Sequence, residues 1–435
     1  MVLGYVMISL GLAGFAGMDI AYPLYKKYKG RKKRIRDTED KKELTLYERG
    51  EIYTQLFTNM GIMKDKDWVK VTHYESNKCY FMTVFTLSDS LPLSAFTKRL
   101  DDIKNKLGVE HLEIFSKGTE MCFRVRRSNI PLERYTFTKP KRQTLVQLGL
   151  DLDNNIAYWD LTKDPHCGIF AESGAGKSRF QHGLICSIIQ SMPRCKIYLI
   201  DLKNGMEFGR YKNLPNVIKF AKDVEGAKAI IAEVGKLINE RAAIMESEGY
   251  TDYNEYVKDK PRTNLVRIFL IIDEFADLVD DKKQNTKNGK TEGYDAIGKL
   301  NELGRKARAV GISLVVATQR PTVDFIPASL KANLGCIIGM KVLNERNSQL
   351  IIDDKGLEEL EQSQAIGKLA GKYTFFQSFY IDNKMIKEII DSVSPEPNAK
   401  LEISDAIQET HYEAKDVVDV DYEEIVENDK DDNRI

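Results

Sequence analysis

Apolar and polar positions along this chain change rhythm four times. Residues 2–22 are apolar except for Ser9 and Asp19. A helix of that length just spans a hydrocarbon core. Residues 37–150 mix short periods. Phe96, Leu100, Ile103 and Leu107 fall on one helical face within 94–107, with Gly108 at the position of a C-terminal cap. Stretches 80–85, 111–115 and 121–125 are rich in β-branched and aromatic residues and are expected as strands. From about 151 the pattern alternates regularly. Apolar runs at 167–170, 196–200, 267–272 and 312–317 predict strands. Between them, 224–242 and 293–310 predict helices, and Phe180, Leu184, Ile185, Ile188 and Ile189 place a further helix after residue 177. Near-continuous apolar strands joined by helices imply a parallel, doubly wound α/β sheet. Beyond about 394 apolar residues thin out and acidic ones crowd in, which predicts an acidic, disordered tail.

The expected layout is therefore a transmembrane anchor at 1–25, a basic linker at 26–45 and a small α/β adaptor domain at 46–150. A larger, doubly wound α/β domain at 151–393 and the acidic tail at 394–435 follow. Charge gives the first segment an orientation. Lys26, Lys27, Lys29, Arg31, Lys32, Lys33, Arg34 and Arg36 follow the apolar run, and no charge precedes it. A secretory signal carries its positive charge first, so this order predicts a single-pass anchor in the cell membrane with the body in the cytoplasm. Over 435 residues the formal charges cancel, so net charge excludes nothing about nucleic acid. The six cysteines and five histidines are scattered without metal-ligand spacing, which argues against zinc and for reduced, buried thiols.

The chemistry gathers at the predicted carboxyl ends of the strands, where ligands bind in such sheets. Ala171-Glu172-Ser173-Gly174-Ala175-Gly176-Lys177-Ser178 lies between a strand and a helix, as a phosphate-cradling P-loop must. Gly174 and Gly176 free the backbone to turn its N–H groups inward, and the helix start adds its positive dipole end. Lys177 is expected to neutralise the β/γ-phosphates of ATP and Ser178 to ligate Mg²⁺. Ala171 stands where the pattern has its first glycine, a small change. Phe269-Leu270-Ile271-Ile272-Asp273-Glu274 fits a Walker B strand. Asp273 is expected in the Mg²⁺ shell and Glu274 as the residue that polarises water. Gln319 ends the next strand, where an uncharged amide can sense a phosphate or orient water.

These residues and four further stretches resemble the FtsK/SpoIIIE family of DNA translocases. The stretches are Asp273-Glu274-Phe275-Ala276-Asp277-Leu278, Arg305-Lys306-Ala307-Arg308-Ala309-Val310-Gly311-Ile312, Ala317-Thr318-Gln319-Arg320-Pro321 and Leu330-Lys331-Ala332-Asn333. Asp201-Leu202-Lys203 sits where that family has a similar Asp-x-Lys. The resemblance runs from about 146 to 380. It implies a RecA-like motor, ATP hydrolysis, a homo-oligomeric ring, usually a hexamer, and movement along double-stranded DNA. Ile337 stands where the family carries an arginine that reaches the neighbour's nucleotide, and Gln349 where it has one linked to DNA. Arg346, Arg305, Arg308, Arg320 and Lys341 are the cationic candidates to replace them. Lys282, Lys283, Lys287 and Lys290 lie in an insert at 281–293, expected as a flexible loop. A motor with one anchor and no sequence-reading module looks like the coupling proteins of Gram-positive conjugative plasmids and integrative elements, with a relaxase and transfer-channel proteins as partners. Two other tasks fit the same motor: chromosome or plasmid segregation, and protein export of the type VII kind.

Overall fold

The computed structural model describes residues 44–393 except 65, 78, 110, 128, 129, 285, 288, 289, 292 and 293. The expected anchor, most of the basic linker and the acidic tail lie outside the described residues. Among the described residues no helix is long and apolar enough to cross a membrane. The chain divides into two units at residues 131/132.

In the first unit, α1 (Leu46–Asn59) starts at a capping box. Thr45 accepts the Glu48 amide through its side chain, and Glu48 reaches back to the Thr45 amide. Strands β1 (Val69–Ser76), β2 (Tyr80–Leu87), β3 (Leu112–Lys117) and β4 (Glu120–Arg126) form an antiparallel sheet in the order β1-β2-β4-β3. The helical face expected over 94–107 is split into α2 (Leu93–Thr97) and α3 (Leu100–Leu107), yet Phe96 and Ile103 are both fully buried. Phe57, Phe85, Phe96 and Phe123 meet edge to face at 5.0–6.1 Å, the geometry their quadrupoles favour.

The second unit is built on a ten-stranded sheet. Its strands are β5 (Leu145–Leu150), β6 (Ile156–Asp160), β7 (Cys167–Phe170), β8 (Lys196–Ile200), β9 (Val217–Ala221) and β10 (Ile268–Ile272). The short pair β11 (Thr286–Lys287) and β12 (Lys290–Thr291) stands apart, and β13 (Ile312–Thr318), β14 (Cys336–Met340), β15 (Gln364–Leu369) and β16 (Lys372–Ser378) complete the large sheet. Its order is β6-β5-β16-β15-β14-β7-β13-β10-β8-β9. The six strands from β14 to β9 are parallel, as the continuous apolar runs imply. The other four extend the sheet in antiparallel fashion, which the alternation of strand and helix did not foretell. This extension moves the domain boundary. Residues 145–150 pair with β16 and β6, so they belong to the large unit and not to the adaptor domain expected to end at 150.

Helices α4 (Lys177–Ser191), α5 (Val224–Ser247), α6 (Tyr253–Asp259), α7 (Phe275–Gln284), α8 (Ala296–Ala307), α9 (Ala328–Asn333), α10 (Glu345–Ile352) and α11 (Asn383–Val393) connect and cover these strands. The sheet separates two cores. Leu270 and Ile272 of β10 face one of them, with Ile230, Ile231 and Val234 of α5. Phe269 and Ile271 face the other, with Phe180, Leu184, Ile185 and Ile188 of α4. A strand buried on both sides has to be apolar at every position, and β10 is. The insert is shorter as a loop than expected: α7 runs on to Gln284, and β11 and β12 pair antiparallel.

His166 fastens the P-loop strand from below. Its Nδ1 accepts the Leu314 amide at 3.0 Å, and its Nε2 lies 2.9 Å from the Gly304 carbonyl. The ring therefore donates from Nε2 and is neutral. Burial, opposed by the Gly304 bond, pushes its pKa down to about 4. In the unfolded chain the ring takes up a proton near 6.5, while the folded ring stays neutral until about 4. Stability from this site is thus complete above 6.5 and drains away as pH falls towards 4. The gap corresponds to a cost on the order of 3 kcal/mol at the low end. Denaturant melts of wild type and His166→Gln between pH 7 and 4 are expected to show a steeper loss for wild type. Equal slopes would contradict this assignment.

Candidate functional site

The P-loop leaves β7 at Ala171, which is fully buried, and closes into α4 at Lys177. Gly174 has φ +83° and Gly176 φ +100°, a region side chains avoid. A Cβ on Gly176 would also lie 2.9 Å from Ser363 Oγ. That approach is part of the loop's support. The Ser363 amide donates to the Ala175 carbonyl at 2.9 Å, and Gln362 Nε2 donates to the Gly174 carbonyl at 3.1 Å. The other end is pinned by the Glu172 amide on the Lys341 carbonyl and by Asn347 Nδ2 on Glu172 Oε1. Ser173 and Gly174 are exposed at the tip. Beyond them the first turn of α4 presents amide donors without intrahelical acceptors.

Lys177 is only 2 % exposed. Its ammonium donates to Asp273 Oδ1, to the Asp273 carbonyl at 3.1 Å and to Gln181 Oε1 at 3.3 Å. Asp273 directly follows β10, and β13 separates β10 from β7 in the sheet. The two motifs thus meet only because their loops rise over the same sheet edge. Asp273 Oδ2 is buried and accepts no hydrogen bond among the described residues; Lys203 Nζ stands off at 3.7 Å. A buried carboxylate oxygen without a donor is what a cation site requires. Asp273 and the Ser178 hydroxyl therefore fit Mg²⁺, and Lys177 with the loop amides fits a polyphosphate.

Glu274 is buried and held. Its carboxylate accepts the Thr318 hydroxyl and the Gln319 amide, the latter at 3.0 and 3.2 Å. Both donors come from the end of β13. The Gln319 side chain makes no hydrogen bond among the described residues and stays half-buried beside Glu274. Arg320 is not free: it pairs with Asp277 and Asp280 of α7. Ile337 is buried inside β14, while Arg305, Arg308, Lys341, Arg346 and Gln349 are exposed.

The loop after β8 brings in two residues. Asp201, fully buried, accepts the amides of Lys203, Glu207 and Phe208 at 2.8–3.1 Å. That fold delivers Lys203 to within 3.9 Å of Glu274 and Glu207 to 3.0 Å from Ser178 Oγ. Glu207 was not foreseen. It lies in a loop with no periodicity, and the one signal was its position six residues after an Asp at a strand end.

The strand order, the loop conformation and the buried lysine–aspartate pair together define a P-loop ATPase domain. Residues 131–323 match the FtsK/SpoIIIE family. This stretch is thus an FtsK/SpoIIIE domain. The DNA translocase SpoIIIE of Bacillus subtilis (strain 168) is 29% identical over 316 residues, 68% of this chain and 38% of that protein. The DNA translocase FtsK of Lactococcus lactis subsp. cremoris (strain MG1363) is 32% identical over 235 residues, 51% of this chain and 30% of that protein. The chain thus spans little more than a third of these curated relatives at most. Among solved structures, the pCW3 conjugation coupling protein TcpA, a monomer form with ATPγS, superposes with a TM-score of 0.57 at 20% identity, covering 79% of this chain and 99% of that one. The cytoplasmic domain of the type VII secretion ATPase EccC of Thermomonospora curvata gives 0.51 at 20%, covering 60% and 32%. At such identities the likeness concerns the fold.

Gly176→Ala combines a strained backbone with the Ser363 contact. It is expected to cost about 1–3 kcal/mol, read as a lowered Tm together with weaker nucleotide binding. An unchanged melt and affinity would show that the loop tolerates a side chain there.

Proposed function

We propose that this protein is an ATP-hydrolysing motor that moves DNA. The observation that carries the reading is the convergence of Lys177, Ser178, Asp273 and Glu274 on one sheet edge, inside a domain whose relatives are named DNA translocases. Lys177 and the P-loop amides bind the phosphates of ATP. Ser178 and Asp273 hold Mg²⁺, which when bound neutralises charge on the phosphates. Glu274 accepts a proton from water and fixes its orientation, and Gln319 stands ready to contact the same water or a phosphate oxygen.

The finer role proposed is that of a coupling protein, a single-pass protein of the cell membrane that feeds double-stranded DNA to a transfer channel. A hexameric ring, a relaxase and channel proteins are its proposed partners. The fold shared with a conjugation coupling protein over 79% of this chain supports this reading, as do the apolar run at 2–22 and its basic flank. Protein export is the competing reading, favoured by the fold shared with a type VII ATPase. The substrate separates them.

With protein lacking residues 1–36, duplex DNA is expected to stimulate ATP turnover severalfold. No response to DNA, with stimulation by a secreted polypeptide, would favour export. Lys177→Ala is expected to lower turnover at least about a hundredfold. Glu274→Gln is expected to lower it by roughly 10²–10⁴ while ATP still binds and stays uncleaved on the protein. Normal DNA-stimulated turnover in Glu274→Gln would remove the role given to that carboxylate.

A further inference from the structure

Ser178 makes its side-chain hydrogen bond outside the P-loop. Its Oγ donates to Glu207 Oε1 at 3.0 Å. The other Glu207 oxygen lies 3.5 Å from His182 Nε2, and His182 Nδ1 is 2.9 Å from Tyr211 Oη. The Glu207 backbone is fixed as well, because its amide donates to the buried Asp201 carboxylate at 2.9 Å. Glu207 is thus held at three points, two on its side chain and one on its amide, although the side chain is about one-third exposed. The P-loop already has its own supports at Glu172, Ala175 and Gly174. Tethering that loop does not require Glu207.

A hydroxyl has one proton and two lone pairs. With its proton committed to Glu207, the Ser178 oxygen has its lone pairs left for a cation. Asp273 Oδ2, buried and without a hydrogen-bond donor among the described residues, is the other oxygen that such a cation would use. We propose that Glu207 is a positioning residue for metal-dependent nucleotide binding: it takes the Ser178 proton and so presents the Ser178 oxygen to Mg²⁺. Residues that orient a metal ligand in this way influence metal affinity strongly without touching the ion. The inference rests on the ATP-site reading above, and its test separates the two.

The test follows binding of a fluorescent ATP analogue to the full chain, first with Mg²⁺ titrated and then in EDTA. Glu207→Ala is expected to raise the Mg²⁺ concentration for half-saturation about 10–100-fold, with affinity in EDTA unchanged. Glu207→Gln keeps an oxygen that can accept the same proton and is expected to restore most of the loss. Ser178→Ala and the Ser178→Ala/Glu207→Ala double variant are expected to need the same Mg²⁺ concentration, because both break one linkage. Equal weakening of Glu207→Ala in Mg²⁺ and in EDTA would make Glu207 a loop tether and overturn the proposal. An unchanged Mg²⁺ requirement would overturn it too. Wild-type protein that bound no nucleotide under either condition would remove the ATP site itself, a separate and prior failure.

Discussion

A buried ion pair between Lys177 and Asp273 sets the terms for everything around it. Both side chains are almost wholly withdrawn from water. Removing one partner of such a pair typically costs about 3–5 kcal/mol, because the other charge is left without compensation. Neither residue can therefore be understood by its packing. Lys177 stands at the start of α4, where the helix dipole already contributes positive potential, so its charge is more than the helix end needs. Asp273 carries a second oxygen that accepts no hydrogen bond among the described residues, with Lys203 Nζ 3.7 Å away. The arrangement is balanced in charge but incomplete in bonding. A polyphosphate together with a divalent cation has the complementary charges: anion for the lysine, cation for the carboxylate.

The sheet makes this meeting possible. Parallel strands end at one edge, so every loop that follows β7, β8, β10, β13 and β14 rises on the same side. Five loops then supply the site: the P-loop, the Asp201–Glu207 turn, Asp273-Glu274, Thr318-Gln319 and the Lys341 carbonyl. Alternate residues of β10 enter opposite cores, which fixes the register of that strand, since a slip by one would exchange the two sets. Register at β10 is what places Asp273 opposite Lys177. Core packing and site geometry are thus one constraint, and His166 adds to it by joining α8 and β13 just before the P-loop strand begins.

Much of this was legible in the sequence, for identifiable reasons. The P-loop and the strand ending in Asp273-Glu274 are local patterns, and the parallel core announces itself through runs that are apolar at every position. Pairings between distant segments left no such trace. Strands β15 and β16 are mixed in polarity because the extension they build is less deeply enclosed, so no run marked them. Residues 145–150 read as part of the preceding domain until their partner, β16, some 230 residues later, was in view. The break between α2 and α3 escaped because Phe96 and Ile103 keep helical spacing across it. Glu207 meets Ser178 across 29 residues of chain, and only the turn around Asp201 brings them together.

The ends of β10 and β13 behave as a single piece. Thr318, Gln319 and Arg320 are consecutive; the first two donate to Glu274, and Arg320 pairs with Asp277 and Asp280. The first two contacts are buried or half-buried hydrogen bonds to a carboxylate, which are strong. The Arg320 pairs are substantially exposed, and exposed ion pairs contribute little in water. The linkage therefore has a firm end at Glu274 and a yielding end at Arg320. A displacement of the exposed Arg320 segment would reach Glu274 through two peptide units and the Gln319 amide, with no flexible side chain between. Glu274 is thus mechanically continuous with a surface of the domain; in the proposed motor this is the route between the reacting centre and whatever it pushes against.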